Sequence, residues 1–153
     1  MTLPAWESLA EAQERVRVGK VRGIFCPCCH QFAKIYNRKL NSAMAHSLIL
    51  LMKFCKQNED EWINVESFLA ARRIRATDFY KLKFWGLIER HAKSSTWRLT
   101  SSGVNFAMGK ITVPKRVQLY NDQLLDVSSE QITVVEALGE RFNYYELMSA
   151  ALG

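Results

Sequence analysis

The sequence predicts an α+β fold with one compact core and appendages, on three observations. With 153 residues, 48% of them hydrophobic, the chain can bury one core but is too short to be divided in two on length alone. A nearly all-apolar helical pattern begins at Asn41, and two short helical patterns joined by a tight turn follow it. After Gly86, two strand-like runs are separated by a small polar stretch, as in a β-hairpin.

Taken in order, residues 5–17 place Trp6, Leu9 and Ala10 on one helical face and Glu7, Glu11 and Glu14 on another, and Gly19 and Gly23 end the helix. Asn41 or Ser42 caps the next helix, whose apolar positions Met44, Ala45, Leu48, Ile49, Leu51, Met52 and Cys55 nearly encircle it, as a central core element requires. Residues 57–61 are polar and acidic. Residues 62–65 alternate like a short strand, and 66–73 read as a short helix burying Phe68 and Leu69. A further helix starts at Thr77 or Asp78, carries Phe79, Leu82 and Trp85 at three-residue spacing, and stops at Gly86, a residue suited to a left-handed helix end.

The runs 87–90 and 96–99 form the hairpin, with 91–95 as its turn. Thr100 or Ser101 then caps a short helix carrying Val104, Phe106 and Ala107 and closed by Gly109. Residues 113–119 and 124–127 flank Asn121 and Asp122 as a second hairpin, although the usual Asn-Gly or Asp-Gly turn is missing. Two capping-box patterns, Thr133 with Glu136 and Asn143 with Glu146, make the acidic end helical. The order helix, strand, helix, helix, hairpin is that of a winged helix. The predicted organisation is an N-terminal helix with a CxxC and basic segment (1–40), a winged helix-turn-helix core (41–110), and a C-terminal hairpin with an acidic helical tail (111–153).

Charge is unevenly spread. The chain carries +6 overall, but residues 15–116 hold 20 Lys and Arg against 6 Asp and Glu, while both ends are acidic. A concentrated positive field suits a polyanion, because each neutralised phosphate releases condensed counterions. The candidate nucleic-acid contacts are Thr77, Tyr80, Lys81 and Lys83 on the 77–85 helix, Arg72, Arg73 and Arg75 before it, and Arg90, Lys93 and Arg98 on the wing. Such a helix enters a major groove, where Lys and Arg pair with guanine edges while the wing holds phosphates. The competing reading is a protein-docking scaffold whose charges form a solvated face.

Cys26 and Cys29 have the spacing at which two thiolates grip one Zn²⁺ from a tight turn. His30, Cys28, His46, Cys55 and His91 are the remaining candidates, His30 being the nearest third ligand. His46 and Cys55 lie nine residues apart on one helix, about half a turn out of phase at ~100° per residue, and cannot share a metal. The same two cysteines of a second subunit could complete the site; alternatively, the thiols are small hydrophobes beside Phe25 and Phe32. A redox CxxC would need a βαβ setting that the pattern lacks. The clustered cysteines fit a reducing compartment better than a disulfide framework.

Two stretches, Lys81-Leu82-Lys83-Phe84-Trp85-Gly86-Leu87-Ile88-Glu89 and Thr96-Trp97-Arg98-Leu99-Thr100-Ser101-Ser102-Gly103-Val104-Asn105-Phe106, resemble the recognition-helix exit and the wing with its following helix in winged-helix regulators. Together with Phe25-Cys26-Pro27-Cys28-Cys29, the basic stretch from Lys34 to Ser42, and Val113-Pro114-Lys115-Arg116-Val117, they give residues 25–148 a resemblance to a family of phage and prophage proteins of unassigned function. The resemblance implies the winged-helix fold and a phage-like origin. The family's usual Gly after the second cysteine is His30 here, and Cys28 is an extra thiol.

Catalysis is not expected, since no glycine-rich phosphate loop, HExxH or nucleophile elbow appears. The longest apolar run, 48–52, is far short of a membrane span, and the start lacks the pattern of an export signal, so a cytoplasmic protein is expected, in the host cell if phage-borne. The leading expectation is a phage-type transcriptional regulator that binds double-stranded DNA, dimerising through its terminal helices. A second is an effector, such as an anti-CRISPR or other anti-defence protein, that inhibits a host protein through its acidic tail. A third is a zinc-stabilised structural module.

Overall fold

The computed structural model describes residues 8–57 and 62–150. The expected first residues of the opening helix, Trp6 and Glu7 among them, and residues 58–61 of the polar stretch lie outside the described residues. In chain order the elements are α1 (Leu9–Gly19), β1 (Ile24–Phe25), β2 (Phe32–Ala33), β3 (Ile35–Lys39), α2 (Ser42–Gln57), β4 (Ile63–Asn64) and α3 (Val65–Ala70). A 3₁₀ helix (Phe79–Trp85), β5 (Ile88–Arg90), β6 (Thr96–Leu99) and α4 (Ser101–Ala107) come next. The chain continues through β7 (Val113–Pro114), β8 (Arg116–Tyr120), β9 (Gln123–Val127), β10 (Gln131–Ile132), α5 (Val134–Leu138) and α6 (Tyr144–Ser149). The result is mixed α and β with small antiparallel sheets, in two units: residues 1–38 with 117–127, and residues 39–116 with 128–153.

The larger unit is organised around α2, against which α4, α5, α6, β6 and the 3₁₀ helix all pack. Asn41 starts α2 by accepting the Met44 N–H on its side-chain oxygen at 2.9 Å. Leu48, Ile49 and Leu51 are wholly buried, as its encircling apolar pattern demands. Each such side chain contributes roughly 1.5–3 kcal/mol by leaving water, so α2 is the element this unit can least do without. The acidic C-terminal segment belongs to the same core: Val134, Ala137 and Leu138 are buried, and the Tyr144 hydroxyl donates to the Ala107 carbonyl at 2.7 Å. Lys53 of α2 donates to the carbonyls of Leu147 and Ala150 at the end of α6, where a helix favours a cation.

The three-stranded sheet of this unit has the order β4-β6-β5, with Ile63 opposite Trp97 and Ile88 opposite Leu99. The two motif stretches of the sequence meet here. Thr100 donates from its hydroxyl to the Gly86 carbonyl at 2.6 Å and accepts the Gly103 N–H at 3.0 Å, which caps α4. Gly103 lets α4 lie directly on the backbone just before β5: a Cβ there would stand 2.0 Å from the Leu87 carbonyl oxygen.

The expected helix from Thr77 or Asp78 to Trp85 is a 3₁₀ helix spanning Phe79–Trp85. At three residues per turn, Phe79, Leu82 and Trp85 line up along one side, whereas α geometry would swing Trp85 about 120° away from Phe79. Phe79 and Leu82 are buried, and the Trp85 indole N–H reaches the Pro114 carbonyl at 2.6 Å. Two similar turns bracket this stretch. After α3 the Ile74 N–H returns to the Leu69 carbonyl at 2.9 Å over Arg73, whose φ is 59°. After the 3₁₀ helix the Leu87 N–H returns to the Leu82 carbonyl at 3.3 Å over Gly86, whose φ is 72°.

In the smaller unit, β1 and β2 pair with Phe25 opposite Phe32, and β3, β8 and β9 form a sheet in that order with β8 and β9 antiparallel. Asn121 and Asp122, with φ of 51° and 58°, make the tight β8–β9 turn without glycine. Both residue types tolerate the left-handed region, because their short polar side chains bond locally. Among the described residues, no helix is long and apolar enough to cross a membrane.

Candidate nucleic-acid interface

The turn between α3 and the 3₁₀ helix places Arg73, Arg75 and Thr77 along a groove of about 590 Å³. Its other walls come from Ala43, His46 and Ser47 on α2 and from Arg141 and Phe142 after α5. Arg141 stands far from the turn in sequence, and no local pattern marked it; only the docking of α5 on α2 brings it there. Three arginines therefore line one concavity, and among the described residues Asp78 is the one Asp or Glu on its lining. Guanidiniums in this arrangement can take phosphate oxygens through paired N–H donors.

His46 forms part of the groove floor, its ring stacked on Phe142 with centroids 4.1 Å apart. Burial, and then the charge of Arg141, hold its imidazole below the usual histidine range, so the floor favours the neutral ring. An anion seated among the arginines would oppose this second influence.

The remaining candidates divide by what their side chains already hold. Arg72 turns back onto α3, donating to the Phe68 carbonyl at 3.0 Å with its guanidinium 3.9 Å from the Phe68 ring centroid. Tyr80 packs its ring on Trp97 at 5.4 Å, and burial, then Glu66, push its phenol above the usual range, with Arg90 opposing. Arg90 braces the β5–β6 turn through the carbonyls of Lys93 and Ser94. Arg98 is paired with Glu89 at 2.7 Å and lies 4.2 Å from the Trp62 ring centroid. Lys93 is exposed in the same turn.

Lys81 and Lys83 flank Phe84, with ammoniums 5.9 and 5.1 Å from its ring centroid, and Lys83 is exposed. Tightening the helix to three residues per turn sets these two positions about 120° apart, closer than the roughly 160° of an α-helix. The structure thus gathers Arg73, Arg75 and Thr77 with Arg141, keeps the lysines on the 3₁₀ helix, and commits Arg72, Arg90 and Arg98 to contacts within the fold.

Cys26, Cys29 and His30 lie in the smaller unit, in the turn between β1 and β2. Among the described residues, no group of three or more His, Cys, Asp or Glu side chains is placed to hold a metal ion. No family model matches the chain, and no curated protein or solved structure matches it.

Proposed function

We propose that this chain is a winged-helix protein that binds duplex DNA, a phage-type transcriptional regulator. The observation carrying the proposal is the convergence of Arg73, Arg75 and Arg141 on one groove beside the turn that precedes the 3₁₀ helix. The element order from α2 to β6 and the sheet order β4-β6-β5 support the winged-helix reading. In it, Lys81 and Lys83 on the 3₁₀ helix meet base edges, the arginine groove takes backbone phosphates, and Lys93 extends the track along the wing. Fluorescence anisotropy of labelled mixed-sequence duplex at two salt concentrations tests this. Binding should weaken as salt rises, and absence of binding at low salt would sink the proposal.

A second reading, inhibition of a host protein through the acidic C-terminal surface, is favoured by Tyr145, which is 78% exposed on α6 between Glu140 and Glu146. Capture of one host protein that is abolished by Tyr145→Ala, together with no DNA affinity, would select it. Structural zinc is also proposed, at the turn holding Cys26 and Cys29, where its role would be to fix the smaller unit.

A further inference from the structure

The turn from Cys26 to His30 already has the shape of a metal-binding knuckle. The Cys26 N–H donates to the Gln31 carbonyl and the His30 N–H returns to the Cys26 carbonyl, both at 2.8 Å, which closes the loop between β1 and β2. His30 takes the left-handed conformation, φ 61°, that lets the chain reverse after the second cysteine of the pair. The backbone N–H groups of Cys29 and Cys28 point at the Cys26 sulfur. Amide donors of this kind stabilise a thiolate, the form that binds metal.

Two thiolates are half of a tetrahedral zinc site, and among the described residues no third ligand from this chain joins them. The surroundings fit a second copy. Phe25 and Phe32 stand beside the knuckle with ring centroids 5.0 Å apart, yet are 68% and 51% exposed. Such an apolar pair next to a half-complete ligand set is surface that an identical knuckle, bringing its own two aromatics, would cover.

We propose that Cys26 and Cys29 of two copies bind a single Zn²⁺ between them, so that the ion is also the link of a homodimer. Each thiol releases its proton to solvent as the metal binds, and no redox change is involved. The proposal rests on the zinc reading of this turn and adds to it the sharing of the ion.

The experiment measures zinc per chain by elemental mass spectrometry and molar mass by light scattering on the full-length protein loaded with Zn²⁺ and freed of excess. The expected result is one zinc per two chains in a dimer that a chelator returns to monomer. Cys29→Ser should abolish both zinc and dimer, whereas Cys28→Ser and Cys55→Ser should leave both intact. Co²⁺ in place of Zn²⁺ should give the visible absorption of a tetrahedral tetrathiolate site. One zinc per chain in a monomer would keep the zinc reading and overturn the sharing. No retained zinc in a protein with an unchanged melting curve would overturn both, and loss of zinc in Cys28→Ser would overturn the ligand set.

Discussion

The turn at residues 71–78 and the hairpin at 88–99 are both basic, but they use their cations differently. In the hairpin, Arg90 bonds the carbonyls of its own turn and Arg98 is tied to Glu89 and covers Trp62. In the turn, Arg73 and Arg75 line a groove that also receives Arg141. A cation that holds its own strand together has donors already directed inward, while one at the rim of a concavity can direct them at a ligand. On the proposed DNA-binding reading, the hairpin arginines serve the scaffold and the turn arginines the ligand.

The strongest way to break the scaffold half is Gly103→Ala. Its new Cβ would collide with the Leu87 carbonyl, a backbone atom that cannot swing aside. Overpacking typically costs about 1–3 kcal/mol, and here the upper part of that range is expected, read as a fall in Tm of several degrees. A melting curve unchanged from the parent would mean that α4 does not sit on the Leu87 backbone as described.

The binding half is tested by Arg73→Glu with Arg75→Glu. Duplex affinity should fall by about a hundredfold at low salt, and the dependence of log K on log salt should flatten by about 0.9 for each phosphate left without its cation. Arg141→Glu should act in the same direction although it is 66 positions beyond Arg75. If these variants bind like the parent, the groove is not where DNA sits.

Acid sharpens the comparison from within the groove. The folded state holds His46 below its ordinary value of 6.5 through burial and Arg141, so the unfolded chain binds a proton more readily. The stability this contributes is complete above about pH 6.5 and is lost as pH falls below that value. Arg73, Arg75, Arg141 and Asp78 share the groove with His46, and Arg141 is the charge that lowers its pKa. Urea denaturation between pH 7.5 and 5.5 should show a drop that His46→Gln reduces, and an equal slope in both proteins would remove His46 as its source.

The smallest effect is expected from Arg98→Gln on the hairpin. The pair it breaks is partly exposed, so stability should change by about 0.2–1 kcal/mol and duplex affinity by less than about threefold. A loss of binding as large as that of the turn variants would dissolve the distinction between the two regions.

What could be read in advance was local chemistry. Asn41, Thr133 with Glu136, and Asn143 cap helices as their residue types dictate, and Gly86 takes the left-handed position. The Asn121–Asp122 turn was legible despite its missing glycine. The 3₁₀ form of Phe79–Trp85 was hidden because three-residue spacing suits both helix types until the anchoring of Trp85 on Pro114 decides between them. Arg141 was hidden because its place depends on the packing of α5 against α2. For Arg72, Arg90 and Arg98, composition supplies a charge but not the carbonyl, ring or carboxylate that engages it.

The chain closes the same kind of turn twice, over Gly86 and over Arg73. Glycine reaches that conformation freely, whereas a residue with a β-carbon is held there against its own preference by roughly 1 kcal/mol. Replacing Arg73 with glycine should therefore make the protein harder to unfold while stripping one guanidinium from the groove. On the proposed binding, residue 73 is a place where robustness and ligand affinity pull in opposite directions, and a library selected for heat resistance alone would drift toward glycine there.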